Sequence, residues 1–401
     1  MRLESFGPIA ATKMTFPFLH VLVAIFGFAT LVAATSYAVL TLVAVLVWQA
    51  RGSSRKLARL PPVTLLKPLC GAEPGLYEHL RTFCQQDYPE FQIIFGVRDP
   101  GDPACSVVER LMAEFPSLAI DFVVNTRQHG SNLKISNLIN MLSVARHEML
   151  VMADSDAFVR PDYLASVTAP LLDPKVGLVT CTYRGVPTAR IWSRLGAMYI
   201  NEWYVPSVLL AWLFGYQGYV SGQTMCVRHD TLHAIGGLRA IANHLADDHR
   251  LGELVRGLGL RIVLSSYVVQ GEHHEQNFES LARHELRWMR TIRVLRPRSF
   301  RLIFLSFSFP LAIIGLALAA VGGSHAIAAR TLFGIAAVVR LVLHFVHRVP
   351  GDRPLFADIW LLPVRDHLLC WVWCRSFFTS RVTWRGNEFD VDANGFMHRL
   401  T

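Results

Sequence analysis

The chain has 401 residues, of which 52% are hydrophobic and only 17% charged, and its mean hydropathy is +0.34. Soluble domains are usually nearer a quarter charged, so the composition predicts that part of the chain lies in lipid. The net charge of +9 comes mostly from arginines that crowd the flanks of apolar segments. Because no nucleic-acid-binding module accompanies them, we expect no nucleic-acid partner but a lipid surface or a polyphosphate ligand.

The first predicted element is a transmembrane helix at residues 18–48, after an N-terminal segment at 1–17. The helix contains no Asp, Glu, Lys or Arg and exceeds the roughly 20 residues that span a bilayer. It is too long for the core of a signal peptide, so we expect it to be retained. Four basic residues follow and place the next domain in the cytoplasm by the positive-inside rule. They are Arg51, Arg55, Lys56 and Arg59.

Residues 60–300 alternate short apolar runs with helix-like segments such as Leu76–Gln85 and Ser106–Phe115. This alternation is typical of an α/β domain with a mostly parallel, Rossmann-like sheet. The predicted strands are Val63–Leu66, Gln92–Val97, Ile120–Val124, Met149–Ala153, Gly177–Thr182 and Arg261–Ser265. The aromatic segment Tyr199–Val220 is either a core helix or an interfacial segment at the membrane surface, and its dense amphipathic rings favour the second.

Residues 302–378 form a predicted C-terminal membrane region, followed by a tail at 379–401. Leu302–Val321 and Ala326–Val346 are predicted as an antiparallel transmembrane pair joined by the turn Gly322–His325. Arg330 and Arg340 in the second helix are costly in lipid, so we expect them to face protein or to reach the interface. The third run, Leu355–Phe378, holds three charged residues and either spans the membrane or is re-entrant.

The strongest chemical signal is a carboxylate pair, Asp154 and Asp156, directly after the predicted strand Met149–Ala153. Ligands of open α/β sheets gather at the carboxyl ends of the strands. Two carboxylates there suit a divalent cation, Mg or Mn, that is completed by substrate phosphates. The alternative is an ordinary polar turn after a strand.

Four other residues of this domain suit donor binding. Lys67 and Gly71 lie in and after a strand that enters a Pro/Gly loop, and Asp99 ends the next strand. Lys134 opens a helix and supplies an ammonium beside a helix N-terminus, where anions bind. Taken alone, Asp99 is a common turn residue and Lys134 a common solvated residue at a helix start.

The order of these groups fits inverting glycosyl transfer from a nucleotide sugar. A cation held by Asp156 would neutralise the leaving diphosphate, and Asp248 would deprotonate the attacking hydroxyl. Arg287 could clamp the diphosphate, and Trp288 could exclude water or stack beneath the acceptor. Alternatively, Asp247 and Asp248 cap a helix, and the Arg-Trp pair anchors a helix at the membrane.

The chain resembles membrane-bound GT-A glycosyltransferases, namely the ceramide glucosyltransferases and the related hopanoid-biosynthesis glycosyltransferases. The segments that carry the likeness are LLKPLCGAEPGL (65–76), FGVRDPGDPA (95–104), GSNLKISNL (130–138), ADSD (153–156), LADD (245–248), HELRWMRTIR (284–293) and VTWRG (382–386). The resemblance implies a UDP-sugar donor, a divalent metal and a cytoplasm-facing site. By that likeness Asp99 holds the nucleotide, Asp154 and Asp156 contact donor and metal, Asp248 is the base, and Arg287 with Trp288 form the Arg-Trp pair. His284 departs from the pattern, since Gln or Arg is usual there.

Within this resemblance, three motifs look closer to the hopanoid branch, which implies transfer of N-acetylglucosamine from its UDP donor to bacteriohopanetetrol. They are RQHGSNLKISNLINML (127–142), VTCTYRGVP (179–187) and HELRWMRTIR. Transfer of glucose to ceramide is the close alternative. A processive polysaccharide synthase and a non-enzymatic nucleotide or metal binder are weaker ones. The expected location is a bacterial inner membrane, with several spans and the lipid bilayer and acceptor lipid as partners.

Overall fold

The computed structural model describes residues 17–51, 60–188, 190–321, 326–346, 358–379, 381–384 and 387–400. Several sequence predictions fall outside these residues: the basic Arg55, Lys56 and Arg59, the turn Gly322–His325, the start of the run at 355–357, and Arg385-Gly386. Within the described residues the chain has fourteen α-helices and eleven strands.

The strands are β1 Val63–Pro68, β2 Phe91–Val97, β3 Ala119–Val124, β4 Met149–Met152, β5 Ala157–Phe158, β6 Val176–Pro187, β7 Met225–Arg228, β8 Arg261–His273, β9 Val382–Trp384, β10 Asn387–Val391 and β11 Met397–Arg399. The helices are α1 Pro17–Gln49, α2 Leu76–Cys84, α3 Ala104–Glu114, α4 Leu133–Met141, α5 Tyr163–Thr168, α6 Ile191–Met198, α7 Val205–Leu213, α8 His229–Ala234, α9 Asp247–Gly257, α10 Phe278–Leu295, α11 Pro297–Arg301, α12 Ser308–Val321, α13 Ala326–Val346 and α14 Leu361–Ser376.

Eight strands form one sheet in the order β3-β2-β1-β4-β7-β6-β8-β5. The pairs β3–β2, β2–β1, β1–β4 and β6–β8 are parallel, whereas β7 is antiparallel to both of its neighbours. The predicted α/β fold with a mostly parallel sheet is therefore confirmed. Strands β5 and β7 were not predicted: β5 has only two residues, and β7 is a short apolar run of a kind that periodicity alone does not assign.

Helices cover both faces of this sheet. Strand β4 shows why its sequence is continuously apolar: Met149 and Val151 pack into one core with α2, α3 and α5, and Leu150 and Met152 pack into a second core with α4, α8 and α9. Strands buried on both faces read as unbroken apolar runs. The parallel strands all end at one edge of the sheet, and the antiparallel β7 begins there.

Two helices among the described residues are long and apolar enough to cross a membrane, Leu19–Gln49 and Ala326–Val346. The predicted first span of the C-terminal pair differs from the structure. It is a bent unit in which Pro297–Ser306 and Ser308–Ala320 meet at 66°. Taken together, the two helices of this unit are long and apolar enough for one broken span, so the described residues hold up to three candidate spans. Helix α14 of the third run has 16 residues and is not among the candidate spans of the described residues.

Close packing holds these helices together. A Cβ atom placed on Gly27 of α1 would lie 2.6 Å from the backbone nitrogen of Ala319 in α12. A Cβ on Gly315 would lie 2.8 Å from the carbonyl oxygen of Gly27. Small residues allow such close approach of helix backbones in membranes.

Several charged side chains within the C-terminal region are paired inside the protein, whereas Arg330 of α13 is exposed. Arg340 of α13 donates to Glu202 at 2.7 Å and to Asp366 at 3.0 Å, as expected for an arginine that faces protein. Glu202 also accepts from His344 at 2.6 Å. These contacts join α13 and α14 to the π-helical turn Tyr199–Tyr204 that leads into α7.

The aromatic segment is more buried than an interfacial segment would be. Tyr199 and Trp203 belong to a core shared with α1, α10, α13 and α14, and only the end of the segment is exposed, where Phe214 is 71% accessible. The segment therefore connects the sheet domain to the membrane helices, and its exposed end is the part that resembles the predicted interfacial element.

We expect the buried ion pair between Glu285 of α10 and Arg365 of α14 to clamp the sheet domain to the C-terminal helices. The guanidinium donates twice, at 2.6 and 2.7 Å, and both side chains are 1% exposed. Glu285→Gln leaves a buried charge uncompensated, so we expect a loss of about 3–5 kcal/mol in unfolding free energy. Thermal unfolding in detergent measures this loss.

The matched control is Glu279→Gln, on the same helix, whose exposed pair with Arg283 contributes about 0–1 kcal/mol. Equal shifts in the two variants would contradict the clamp.

Candidate active site

A cleft of about 1150 Å³ opens at the edge of the sheet where the parallel strands end. Its lining brings together residues from the loops after β1, β2 and β4, from the loop before β7, and from α4, α9 and α10. Of the predicted site residues, it includes Asp99, Lys134, Asp154, Asp156, Asp248, His284, Arg287 and Trp288. Residues spread over nearly 200 positions of sequence thus face one space.

Lys134 joins two of the acidic segments. Its Nζ lies 2.7 Å from Oδ1 of Asp154 and 3.2 Å from Oδ2 of Asp247. Burial would lower the pKa of this ammonium, but the charges of Asp154 and Asp247 outweigh burial and hold the pKa above its usual value. Asn132 caps α4 by accepting from the backbone N–H of Ile135, which fixes the helix start that carries Lys134. The lysine predicted to bind an anion thus also neutralises the aspartates.

The loop before β7 contacts both Asp156 and Asp248. Gln223 donates from Nε2 to Oδ1 of Asp156 at 3.1 Å, and the backbone N–H of Gly222 donates to Oδ2 of Asp248 at 3.0 Å. A Cβ on Gly222 would lie 2.9 Å from Oδ2 of Asp154, so the close approach requires glycine. Sequence reasoning missed this loop. Its only signal is a glycine between polar residues in Ser221–Thr224, directly before a short apolar run.

Asp248 lies at the start of α9 and accepts a second hydrogen bond, from the backbone N–H of His249 at 2.6 Å. Burial raises the pKa of its carboxyl to about 7, and the neighbouring Asp247 adds to the rise, whereas Lys134 opposes it. A carboxyl that titrates near neutral pH can take up a proton and release it under working conditions. Asp247 instead pairs with Lys134, so the two adjacent aspartates have different partners.

Lys67 and Gly71 stand apart from the cleft lining. Lys67 is fully buried, its Nζ lies 3.7 Å from the centre of the Phe83 ring, and it donates to the backbone carbonyl of Asp154. Burial lowers the pKa of Lys67 to about 7, against the opposing charges of Asp156 and Asp154. The N–H of Gly71 donates to Asp102 at 2.9 Å. In the structure Lys67 contacts the backbone at Asp154 and Gly71 contacts Asp102, and direct contact of either residue with a donor stays a prediction.

Helix α10 places His284, Arg287 and Trp288 along the opposite wall. The rings of His284 and Trp288 are 4.0 Å apart, and the Arg287 guanidinium lies 5.9 Å from the centre of the Trp288 ring. His284 also contacts a carboxylate that sequence reasoning missed, Glu275, at 2.9 Å. The helix begins with a capping box in which Asn277 accepts from the backbone N–H of Ser280, so the wall has a fixed start.

The remaining walls are aromatic and come from two distant parts of the chain. Five tyrosines line the side next to the membrane helices: Tyr183, Tyr199, Tyr204, Tyr216 and Tyr219. Phe389 lines another side from the three-stranded C-terminal sheet β9–β11. That sheet is attached to the loop before α9, because Leu245 donates to the carbonyl of Gly395 at 3.0 Å and Met397 donates to that of Asn243 at 2.9 Å.

Comparison with solved structures supports a GT-A fold. The mannosyltransferase PcManGT from Pyrobaculum calidifontis, solved with GDP-Man and Mn²⁺, covers 89% of this chain and 99% of its own with a TM-score of 0.51 at 19% identity. Together with the family match below, this fold defines the protein as a glycosyltransferase.

The sequence pattern described as "Glycosyl transferase family 21" matches residues 27–397, so the chain belongs to that family. Ceramide glucosyltransferase 3 of Caenorhabditis elegans is 23% identical over 84% of this chain and 74% of its own length. A ceramide glucosyltransferase of Komagataella phaffii is 31% identical over 27% of this chain and 23% of its own.

The raised pKa of Asp248 predicts a pH-dependent stability difference between the protein and its Asp248→Asn variant. An unfolded aspartate ionises near pH 3.9, whereas the folded carboxyl keeps its proton up to about pH 7. The native state therefore binds the extra proton between these values, and the stability contributed by this group falls as pH rises across that window. Asparagine cannot ionise, so we expect the variant to unfold at a higher temperature than the parent at pH 8.

Thermal unfolding at pH 4.5 and pH 8, with chelator and without nucleotide, measures this difference. The unfolding temperature of Asp248→Asn should exceed that of the parent by a small amount at pH 4.5 and by a larger amount at pH 8. An advantage that is independent of pH would show that Asp248 titrates in the ordinary aspartate range.

Proposed function

We propose that this chain is an inverting glycosyltransferase that moves a sugar from a UDP-sugar to the hydroxyl of a membrane lipid. The carrying observation is the cleft itself, in which the carboxylates of Asp154, Asp156 and Asp248 face an Arg-Trp wall beside the membrane helices. Inversion needs a base on the face of the sugar opposite to the leaving diphosphate. The separate positions of the Asp154–Asp156 pair and Asp248, on different elements, support that division of roles.

The donor side of the cleft suits a nucleoside diphosphate. Asp99 and Arg98 line it after β2, and Asp154 and Asp156 line it after β4, two strands away in the sheet. The carboxylate oxygens form the donor set that Mg²⁺ and Mn²⁺ prefer. Asp156, with its contact to Gln223, and Asp154 would hold the ion, which supplies positive charge to the diphosphate as the glycosidic bond breaks.

Three residues of this chain would carry the remaining steps. Asp248 accepts the proton of the attacking hydroxyl while Gly222 and His249 hold its carboxylate by backbone hydrogen bonds. Arg287 binds the leaving diphosphate, since a guanidinium matches phosphate oxygens in pairs. Trp288 stacks in the wall and excludes water, which would otherwise hydrolyse the donor.

The acceptor side is apolar and aromatic and suits a lipid. Tyr204 and Tyr219 line the cleft together with Asp248, and Tyr204 also packs against the core shared with α1, so a lipid headgroup could reach the base while its tail stays near the membrane helices. We infer bacteriohopanetetrol with UDP-N-acetylglucosamine as the substrate pair, from the resemblance of residues 127–142 and 179–187. Glucose transfer to ceramide is the second candidate, favoured by the curated relatives.

The deciding experiment is UDP release by purified protein, followed by lipid extraction and mass analysis. UDP-N-acetylglucosamine and UDP-glucose are each offered with bacteriohopanetetrol and with ceramide. Chelator should stop release, and Mg²⁺ or Mn²⁺ should restore it. Asp156→Ala should lose metal-dependent release, which costs several kcal/mol in the transition state, while keeping its unfolding temperature. A polymeric product, or release by Asp156→Ala in chelator, would refute the proposal.

Asp248→Asn tests the base. The variant keeps the size of the side chain and can still accept a hydrogen bond from Gly222, but it cannot take the proton. UDP-sugar affinity should stay near normal while turnover falls by about 10²–10⁴. Asp247→Asn is the matched neighbour and should reduce turnover much less, because Asp247 pairs with Lys134 instead. Exchange of these two phenotypes would transfer the role of base to Asp247.

We also propose that the cleft faces the cytoplasm of a bacterium, where UDP-sugars are made, with the protein in the inner membrane. The C-terminal sheet contacts the loop before α9, so β10 should lie on the same side as the cleft. A single cysteine at Asn387 tests this orientation in a variant without the native cysteines. A membrane-impermeant maleimide should label it only after the membrane is opened. Labelling of intact spheroplasts would reverse the orientation.

A further inference from the structure

Three polar residues form a triad at the wall of the cleft that carries Arg287 and Trp288. His273 ends β8, Glu275 follows two residues later, and His284 lies on α10. Nδ1 of His273 is 3.2 Å from Oε1 of Glu275, and Nδ1 of His284 is 2.9 Å from the same oxygen. The side chains of His273 and Glu275 are 5% and 6% exposed and that of His284 is 33% exposed, and both Glu275 and His284 line the cleft.

The charge of Glu275 determines where the protons of the two imidazoles lie. Burial would raise the pKa of Glu275, but hydrogen bonds from His273 and His284 outweigh burial and hold the pKa well below its usual range. An ionised carboxylate can only accept hydrogen bonds. Both imidazoles therefore carry a proton on Nδ1, the nitrogen that faces Glu275.

The second nitrogen of His284 has no proton when the ring is neutral. Burial lowers the pKa of His284, the charge of Arg287 lowers it further, and the contact with Glu275 opposes both effects. The groups that face the ring are Glu275 and His273 from the end of β8, and Arg287 and Trp288 from its own helix. Nε2 lies on the side of the ring away from Glu275, and the ring lines the cleft, so a lone pair is available to a ligand.

The surrounding backbone makes room for the triad. A Cβ atom on Gly196 of α6 would lie 2.8 Å from Oε2 of Glu275. A Cβ on Gly185 of β6 would lie 3.0 Å from the ring of His273. Two glycines on separate elements thus admit the carboxylate and the supporting imidazole, and larger residues there would displace them.

We propose that Glu275, supported by His273, is a positioning residue that holds His284 with its proton on Nδ1, so that Nε2 accepts a hydrogen bond from a substrate hydroxyl. The hydroxyl belongs to the donor sugar or to the lipid acceptor, and in that respect the inference rests on the proposed function. An arginine at this position could only donate. Glutamine could donate or accept there, whereas a neutral His284 with its proton on Nδ1 can only accept through Nε2.

The tautomer is tested without any substrate, so the result does not depend on the proposed reaction. Long-range ¹H–¹⁵N spectra of protein labelled in histidine distinguish Nδ1–H from Nε2–H rings, and His284→Gln assigns the signal. We expect His284 to be Nδ1–H in the parent and in Glu275→Gln, which keeps an acceptor oxygen. Glu275→Leu has no acceptor and should shift the ring to Nε2–H, the form that free imidazole side chains prefer. An Nε2–H ring in the parent overturns the inference, as does one equivalent of tightly bound zinc that Glu275→Leu loses.

Kinetics then test the substrate contact. Glu275→Leu should lower kcat/KM about 5- to 20-fold, as for one lost hydrogen bond, and Glu275→Gln less than about 3-fold. In a His284→Ala background, Glu275→Leu should add less than a 2-fold loss, because its effect passes through His284. A rise in the KM of the UDP-sugar identifies a donor hydroxyl, and a rise in that of the lipid identifies an acceptor hydroxyl. If Glu275→Leu lowers kcat/KM equally in the parent and in the His284→Ala background, the proposal is overturned.

Glu202→Gln is the matched control for loss of a buried carboxylate that binds histidine. Glu202 accepts from His344 at 2.6 Å within the membrane region, away from the cleft. It should lower the unfolding temperature and leave the His284 signal and both KM values unchanged. A shift of the His284 signal in this variant would show that the tautomer responds to general destabilisation, which overturns the assignment to Glu275.

Discussion

The site depends on one ammonium group placed between carboxylates. Asp154, Asp156, Asp247 and Asp248 line one cleft, and four negative charges at such a distance would repel one another strongly in a partly buried space. Lys134 reduces that repulsion by contacting Asp154 and Asp247 together. Because it comes from α4, it also joins the segment after β4 to the start of α9. Asp248 is affected most: burial raises the pKa of its carboxyl to about 7, and the negative charge of Asp247 adds to the rise.

A second constraint couples the cleft to the membrane region through one helix. Successive residues of α10 point in different directions, so His284 lines the cleft while Glu285 faces α14. The bidentate pair with Arg365 therefore fixes the orientation of the wall that carries Arg287 and Trp288. Buried ion pairs are weak evidence for net stability, but they define a geometry well, because a displaced partner leaves an unpaired charge.

In the membrane region, buried charged side chains pair with one another inside the protein. Arg340, which a hydropathy pattern marks as costly, has Glu202 and Asp366 as partners, and His344 shares Glu202. Helices α1 and α12 approach closely at glycines instead of through polar contacts. The charged network lies next to the aromatic segment that leads to the cleft.

The sequence by itself determined the elements whose signal is local. The uncharged run of α1 and the unbroken apolar strand before Asp154 followed from length and burial, and the order of the acidic motifs pointed to a glycosyltransferase. Only the tertiary structure decided which residues meet. Gln223 contacts Asp156, and Glu275 contacts His284. No periodic pattern in the sequence predicts either contact. The bend before α12 was equally hidden, because hydropathy records the apolar content of a segment and not its direction. Strand pairing and helix packing set these distances, and both are properties of the whole chain.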